Sequence, residues 1–186
     1  MTAVLRATVV ALALIAAQKQ FSVAASSKLN GIKEFLTKNS ALLVIRTTYG
    51  TFNPCKWYQQ QDISDTGVTV FSWVYIDSTK RKAPASHEKK WIFKEEDKMW
   101  TGDEGPEGDR DEKWLLYKTD DDSCGVLQFD EIFDSIDIRY TYYELLVNHD
   151  KMHTVPQDCL NFYLEKIGTT GENKNSNEDL NNCKFE

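Results

Sequence analysis

The sequence predicts an all-β protein: an eight-stranded antiparallel up-and-down barrel with a short N-terminal helix and a C-terminal helix. Two observations support this fold class. Apolar and β-branched runs of strand length recur at short spacing between turn residues, and the chain lacks the regular alternation of strands with helices that a parallel sheet requires. Eight strands enclose an interior just wide enough for one small ligand. A β-sandwich is the alternative architecture that these patterns leave open.

The N-terminus has the pattern of a secretory signal peptide. One basic residue, Arg6, precedes the apolar run Ala7–Ala17, and small residues follow near Val23-Ala24-Ala25. The apolar run is shorter than the roughly 20 residues that span a bilayer, so we expect no membrane span. We predict cleavage after Ala25, with Ala17 as the alternative, and a single secreted domain over residues 26–186.

Charge and cysteine content limit the partners and the compartment. The chain carries a formal net charge of −7, and loss of Arg6 and Lys19 with the signal peptide makes the mature protein more acidic. An acidic surface argues against nucleic acid and anionic membranes as partners. Four cysteines behind a signal peptide predict two disulfides, with three possible connectivities. Because no C-x-x-C pair is present and histidines are few, we expect no metal site.

The first half of the chain predicts one helix and three strands. Lys28–Lys38 has apolar residues at helical spacing, which is typical of a short amphipathic helix that closes or flanks the barrel. The strands follow at Ala41–Gly50, Cys55–Gln61 and Gly67–Ile76. Large residues on both alternating faces of the third strand indicate one packed side and one side that faces a filled or ligand-bearing interior.

The second half completes the sheet and ends in a helix. We predict a hairpin at His87–Phe93 and Lys98–Trp100, and an acidic, glycine-rich loop over Thr101–Glu112. The remaining predicted strands are Lys113–Lys118, Cys124–Phe129 and Tyr140–Val147. A helix follows, with Pro156 at its entry and Gly168 just past its end, in the usual positions for these residues.

No catalytic constellation is present in the sequence. There is no G-x-S-x-G, P-loop, H-E-x-x-H or dinucleotide-binding motif, and two disulfides would use all the cysteines. We therefore expect neither an enzyme nor a cofactor. The five tryptophans and the tyrosines of the last strand instead suggest an aromatic-lined pocket for a small molecule, although most of them also suit a protein core.

Glu144 is an unusual residue for a long apolar strand. Alternation places Tyr140, Tyr142, Glu144 and Leu146 on one face of that strand. A carboxylate between large apolar residues is costly to bury unless a cation or a hydrogen-bond donor meets it. Glu144 is therefore either a ligand-binding group near the pocket or a structural carboxylate paired with Arg46 or a lysine.

Several short motifs in this order resemble the histamine-binding family of tick salivary lipocalins. They are Cys124, the triplet Tyr143-Glu144-Leu145, and the Cys159-Leu160-Asn161-Phe162-Tyr163 start of the last helix, with Cys183 near the chain end. The resemblance implies a lipocalin barrel with disulfides Cys55–Cys183 and Cys124–Cys159. It also implies a secreted salivary protein that sequesters a small host mediator or lipid and suppresses inflammation or immunity.

The resemblance also suggests binding residues. Together with the aromatic strands it predicts a ligand site formed by Tyr49, Phe71, Trp73, Glu88, Trp100, Trp114, Tyr142 and Glu144. Two acids of the histamine binders are replaced, one by Gly125 and one by Leu115 or Leu116, which favours a lipidic or sterol-like ligand over a biogenic amine. The alternative function is an immunomodulatory interaction module that acts on host cells or complement through loops such as Thr101–Glu112.

Overall fold

The computed structural model describes residues 31–50, 55–76, 81–84, 88–101 and 109–168. The predicted signal peptide and the chain end with Cys183 lie outside these ranges. Within them the helices and longer strands are, in chain order, α1 (Gly31–Lys38), β1 (Ala41–Thr47), β2 (Lys56–Gln61), β3 (Gly67–Ile76), β4 (Arg81–Pro84), β5 (Lys89–Glu95), β6 (Lys98–Trp100), β7 (Arg110–Lys118), β8 (Cys124–Phe133), β9 (Ile138–Asn148) and α2 (Gln157–Ile167).

The strands form one closed antiparallel barrel. Neighbours follow the order β2, β1, β9, β8, β7, β6, β5, β3, and the pairing of β2 with β3 closes the ring. β5 pairs with Gly67–Val70 of β3, whereas β4 pairs with the later stretch Trp73–Ile76. β4 and β5 therefore share one position in the barrel, which has eight positions as predicted. β4 itself was not predicted.

The predicted loop Thr101–Glu112 is wrong at its C-terminal end, because β7 already begins at Arg110. Its acidic composition suggested solvated chain, but Asp111 and Glu112 are paired across the sheet. Lys89 Nζ contacts Asp111, and Lys98 Nζ lies 3.1 Å from Glu112 Oε2. Cross-strand cations thus allow these carboxylates to lie in a strand. Residues 102–108 of the predicted loop lie outside the described ranges.

Helix α1 closes one end of the barrel, as the sequence predicts. Its apolar residues Ile32, Phe35 and Leu36 are buried together with inward-facing strand residues such as Leu115 and Leu146. The Phe35 ring lies so close to β8 that a Cβ on Gly125 would come within 2.7 Å of its Cζ. Gly125 is therefore required by the seat of the helix at this end of the barrel.

Helix α2 packs on the outside of the barrel. Its Cys159, Tyr163 and Ile167 are buried in an outer cluster that includes the β9 residues Leu145 and Val147. The predicted alternation of β9 is confirmed, since Leu146 belongs to the inner cluster and its two neighbours to the outer one. The helix lies between Pro156 and Gly168, which adopts a positive φ of 61°, as expected for the residue that ends a helix.

One disulfide pairing implied by the family resemblance is confirmed. Cys124 at the start of β8 is bonded to Cys159 of α2, with an S–S distance of 2.06 Å. The bond fixes the outer helix to the barrel wall. Cys55 is also disulfide-bonded, and its predicted partner Cys183 lies outside the described residues.

Candidate ligand site

A cavity of about 280 Å³ lies inside the barrel. No residue of α1 lines it. Its apolar and aromatic lining consists of Tyr49, Tyr58, Val70, Val74, Trp91, Phe129 and Tyr142. Phe129 stacks on Tyr142 with ring centroids 4.8 Å apart, and Tyr142 contacts Tyr49 at the same distance. Polar and charged side chains supply the rest of the lining: Lys56, Ser72, Lys89, Asp111, Glu112, Lys113, Asp130 and Glu131. A concave space that combines aromatic walls with fixed polar groups is a candidate small-molecule site.

Glu144 is fully buried and already has two partners. Its Oε1 lies 3.0 Å from Lys56 Nζ, and its Oε2 accepts a 2.7 Å hydrogen bond from the Tyr58 hydroxyl. Burial and the nearby Glu144 charge raise the pKa of Tyr58 well above its usual value, so the phenol remains a donor. Burial disfavours the charge on Lys56. The nearby Glu144 carboxylate, together with smaller effects of Tyr142 and Tyr49, outweighs burial, so the pKa of Lys56 is raised. The carboxylate is therefore satisfied inside the barrel without a ligand.

Lys113 is the second charged group in the interior, and its surroundings differ from those of Glu144. The residue is 5% exposed, and its Nζ lies 4.0 Å from the ring centroid of Trp91, 4.5 Å from that of Phe129 and 4.7 Å from that of Tyr58. Within the described ranges the Lys113 side chain has no salt bridge or hydrogen bond. Burial lowers the pKa of Lys113 to about 7, even though the charge of Glu144 acts in the opposite direction.

Solved structures with a similar backbone identify the architecture. The crystal structure of a dog lipocalin allergen superposes with a TM-score of 0.54 at 11% identity, covering 80% of this chain and 98% of that one. The chain has the lipocalin fold. A bovine odorant-binding protein gives a TM-score of 0.47 at 11% identity, covering 70% of this chain and 84% of that one. The amino-acid sequence matches no protein-family model and no curated protein.

Two of the predicted ligand residues, Tyr49 and Tyr142, line the cavity of this lipocalin barrel. A third, Glu144, does not line it but is fully buried beside it, where it is held by the lining residues Lys56 and Tyr58. The resemblance places one replaced acid at Gly125, which lies under Phe35. It places the other at Leu115 or Leu116, of which Leu115 lies in the inner core with α1. A large side chain at Gly125 would displace the helix, so this position belongs to the closed end of the barrel.

The other five predicted ligand residues do not line the cavity. Val70, Ser72 and Val74 line it, so alternation places Phe71 and Trp73 of β3 on the outer face. Trp73 stacks there on Trp57 at 6.3 Å. The other three also face away from the cavity: Trp100 beneath Lys94, Trp114 beneath Lys98, and Glu88 at an exposed position before β5.

Three site residues were not predicted from the sequence: Lys56, Tyr58 and Lys113. The alternation of side chains along a strand could have indicated them, because Lys56 and Tyr58 share one face of β2 and Lys113 shares a face of its strand with Leu115. A lysine in an amphipathic strand usually lies on the solvated side, so the sequence pattern does not indicate that these lysines face the interior. The inward direction of Lys113 follows from the sheet register, in which Lys113 pairs with Phe129 on β8 and Met99 on β6.

Neither helix in the described part of the chain is long and apolar enough to cross a membrane. Across the same residues, no group of three or more histidine, cysteine, aspartate or glutamate side chains is placed to hold a metal ion.

Proposed function

We propose that this protein is a secreted salivary lipocalin that sequesters a small host mediator in its barrel and thereby suppresses inflammation or immunity. The cysteine and Tyr-Glu-Leu motifs that resemble tick salivary lipocalins, the lipocalin fold and the aromatic cavity support this function. A lipidic or sterol-like ligand is favoured over a biogenic amine such as histamine or serotonin.

The observation that carries this preference is that the Glu144 carboxylate already has partners within the protein. An ammonium ligand in the barrel needs a carboxylate, and this fully buried one is already bound by Lys56 Nζ and the Tyr58 hydroxyl. A ligand amine would have to displace an internal ammonium that the fold supplies at no cost in association entropy. Apolar ligands meet no such competition along Val70, Trp91 and Phe129.

Glu131 is the cavity-lining carboxylate to which an amine would bind if this preference were reversed. Within the described residues it has no salt bridge or hydrogen bond, and burial raises its pKa. An amine site would therefore lose affinity in Glu131→Gln, whereas a lipid site would not. The same variant thus separates the two ligand classes.

Native mass spectrometry and binding measurements on the secreted protein test the proposal. We expect a retained or added apolar molecule in a one-to-one complex, and stronger binding of a leukotriene or fatty acid than of histamine or serotonin. Absence of binding by every member of that panel would refute sequestration. Tighter binding of an amine, lost in Glu131→Gln, would refute the lipid preference.

The alternative function, an interaction module acting on host cells or complement, depended on the loop Thr101–Glu112. Residues 102–108 lie outside the described ranges, so this alternative stays a prediction. Deletion of the loop with full retention of the biological effect would exclude it.

A further inference from the structure

Three lysines line the cavity, and their pairing differs. Lys56 is bound to Glu144, and Lys89 is bound to Asp111. Lys113, the most buried of the three, has no carboxylate within ion-pair distance in the described part of the chain. A buried ammonium without a counter-ion is unfavourable and is normally paired in a folded protein. Here the open space beside it is the ligand cavity.

We propose that Lys113 binds the anionic headgroup of the barrel's ligand, so that the cargo is an amphiphilic oxyanion, with a fatty carboxylate as the simplest case. The inference rests on the proposed sequestering function and specifies its ligand class. It excludes a neutral sterol and an amine as the preferred cargo.

The surroundings of Lys113 hold the ammonium in place and leave its hydrogen-bond donors unused. Ring faces of Tyr58, Trp91 and Phe129 lie within 4.7 Å of Nζ, which favours the charged form through cation–π contact. Three N–H donors of an ammonium remain without a strong acceptor. A carboxylate entering the cavity would supply the missing acceptor and the missing charge.

A second donor without a partner belongs to Trp91, one of the three rings that surround the Lys113 ammonium. The indole N–H of Trp91 is buried and has no hydrogen-bond partner within the described residues. The centroid of this ring is 4.0 Å from Lys113 Nζ. A carboxylate therefore brings both an acceptor and a negative charge to a donor-rich wall, whereas an alcohol offers one oxygen and no charge.

The charges that surround Lys113 also predict how the preference depends on pH. Burial disfavours the protonated form of Lys113 most strongly, Lys56 and Lys89 add to this effect, and Glu144 and Asp111 oppose it. Glu112, Asp130 and Glu131 also line the cavity, and of these Glu131 has no hydrogen bond or salt bridge within the described residues. Without a bound anion, Lys113 loses its proton near neutral pH. A bound anion raises the pKa of Lys113, so its affinity decreases as the pH rises above neutrality.

The test compares dodecanoate with dodecanol, which share a chain and differ in headgroup charge. On wild-type protein at pH 6.5 we expect dodecanoate to bind at least about tenfold more tightly, by calorimetry or by displacement of a fluorescent fatty acid, as for a charged hydrogen bond. Lys113→Met should weaken dodecanoate by about 10- to 100-fold and change dodecanol by less than about twofold.

Lys90→Met is the matched control. It removes an exposed lysine of β5 that does not line the cavity, and we expect the preference for dodecanoate to remain. Equal binding of the two probes to wild type, or an unchanged preference in Lys113→Met, would overturn the headgroup assignment and leave barrel binding intact. Failure of both probes to bind, together with the panel above, would overturn the proposed function as well.

Discussion

Replacing Lys113 by methionine should stabilise the protein, and the gain should depend on pH in a defined way. Methionine has a similar length and fills the space among Tyr58, Trp91 and Phe129 without a charge. Apolar replacements of buried ionic groups are often neutral or stabilising by about 1–4 kcal/mol. Because the buried charge of Lys113 has no ion-pair partner among the described residues, we expect its removal to increase the free energy of unfolding.

The size of the gain follows from the lowered pKa of Lys113. Its usual value is 10.5, and in the folded state it is about 7. Between these values the unfolded chain binds more protons than the folded one, so wild-type stability rises with pH across that window. Each pH unit contributes about 1.4 kcal/mol. The destabilisation by Lys113 therefore falls from about 5 kcal/mol at pH 6 to about 2 kcal/mol at pH 9.

Urea denaturation of both proteins at pH 6 and pH 9 checks this expectation. The advantage of Lys113→Met in free energy of unfolding should be larger at pH 6 and should narrow by about 2–3 kcal/mol at pH 9. Lys90→Met, at an exposed lysine of β5, is the control and should show no such change. A pH-independent difference between Lys113→Met and wild type would refute the argument, because it would mean that Lys113 keeps an ordinary pKa when buried.

Three further predictions concern the frame of the site. Gly125→Ala should destabilise the protein by about 1–3 kcal/mol, since its Cβ would meet Phe35 Cζ at 2.7 Å. A denaturation midpoint equal to that of wild type would contradict this packing of α1 against β8. The double variant Cys124→Ser, Cys159→Ser should lose up to about 4 kcal/mol of stability in denaturant, as expected for a 35-residue separation, whereas similar midpoints would show that α2 stays docked without the bond. Tyr58→Phe should cost about 1–3 kcal/mol because it removes a donor from the buried carboxylate, and an unchanged unfolding free energy would show that Lys56 alone satisfies it.

The parts of the fold that the sequence predicted well depend on local signals. β3 occupies Gly67–Ile76 as predicted, because its β-branched and aromatic residues form an uninterrupted run. Helix α2 lies between the proline and the glycine that mark its ends. The start of β7 was missed because Asp111 and Glu112 have the composition of a loop, and their cross-strand partners are far away in sequence.

The site was predicted less well than the fold because a strand does not specify which of its faces turns inward. Phe71 and Trp73 have the residue types of a ligand pocket, but register places the smaller Val70 and Ser72 on the cavity side. Aromatic content alone therefore overestimates a pocket. In this barrel the rings of Phe71 and Trp73 lie on the outer face of β3.

The sequence by itself predicted the barrel class, the order of its main elements, a helix that closes or flanks the barrel, and a carboxylate on the face of the last strand that also carries Tyr142 and Leu146. Only the tertiary structure decided what that carboxylate does. Glu144 meets Lys56 and Tyr58, which are 88 and 86 residues away in the chain, and Lys113 lies against three rings at the cavity. Local patterns set the direction of each side chain within its strand, whereas barrel closure and strand register set the partners that it meets.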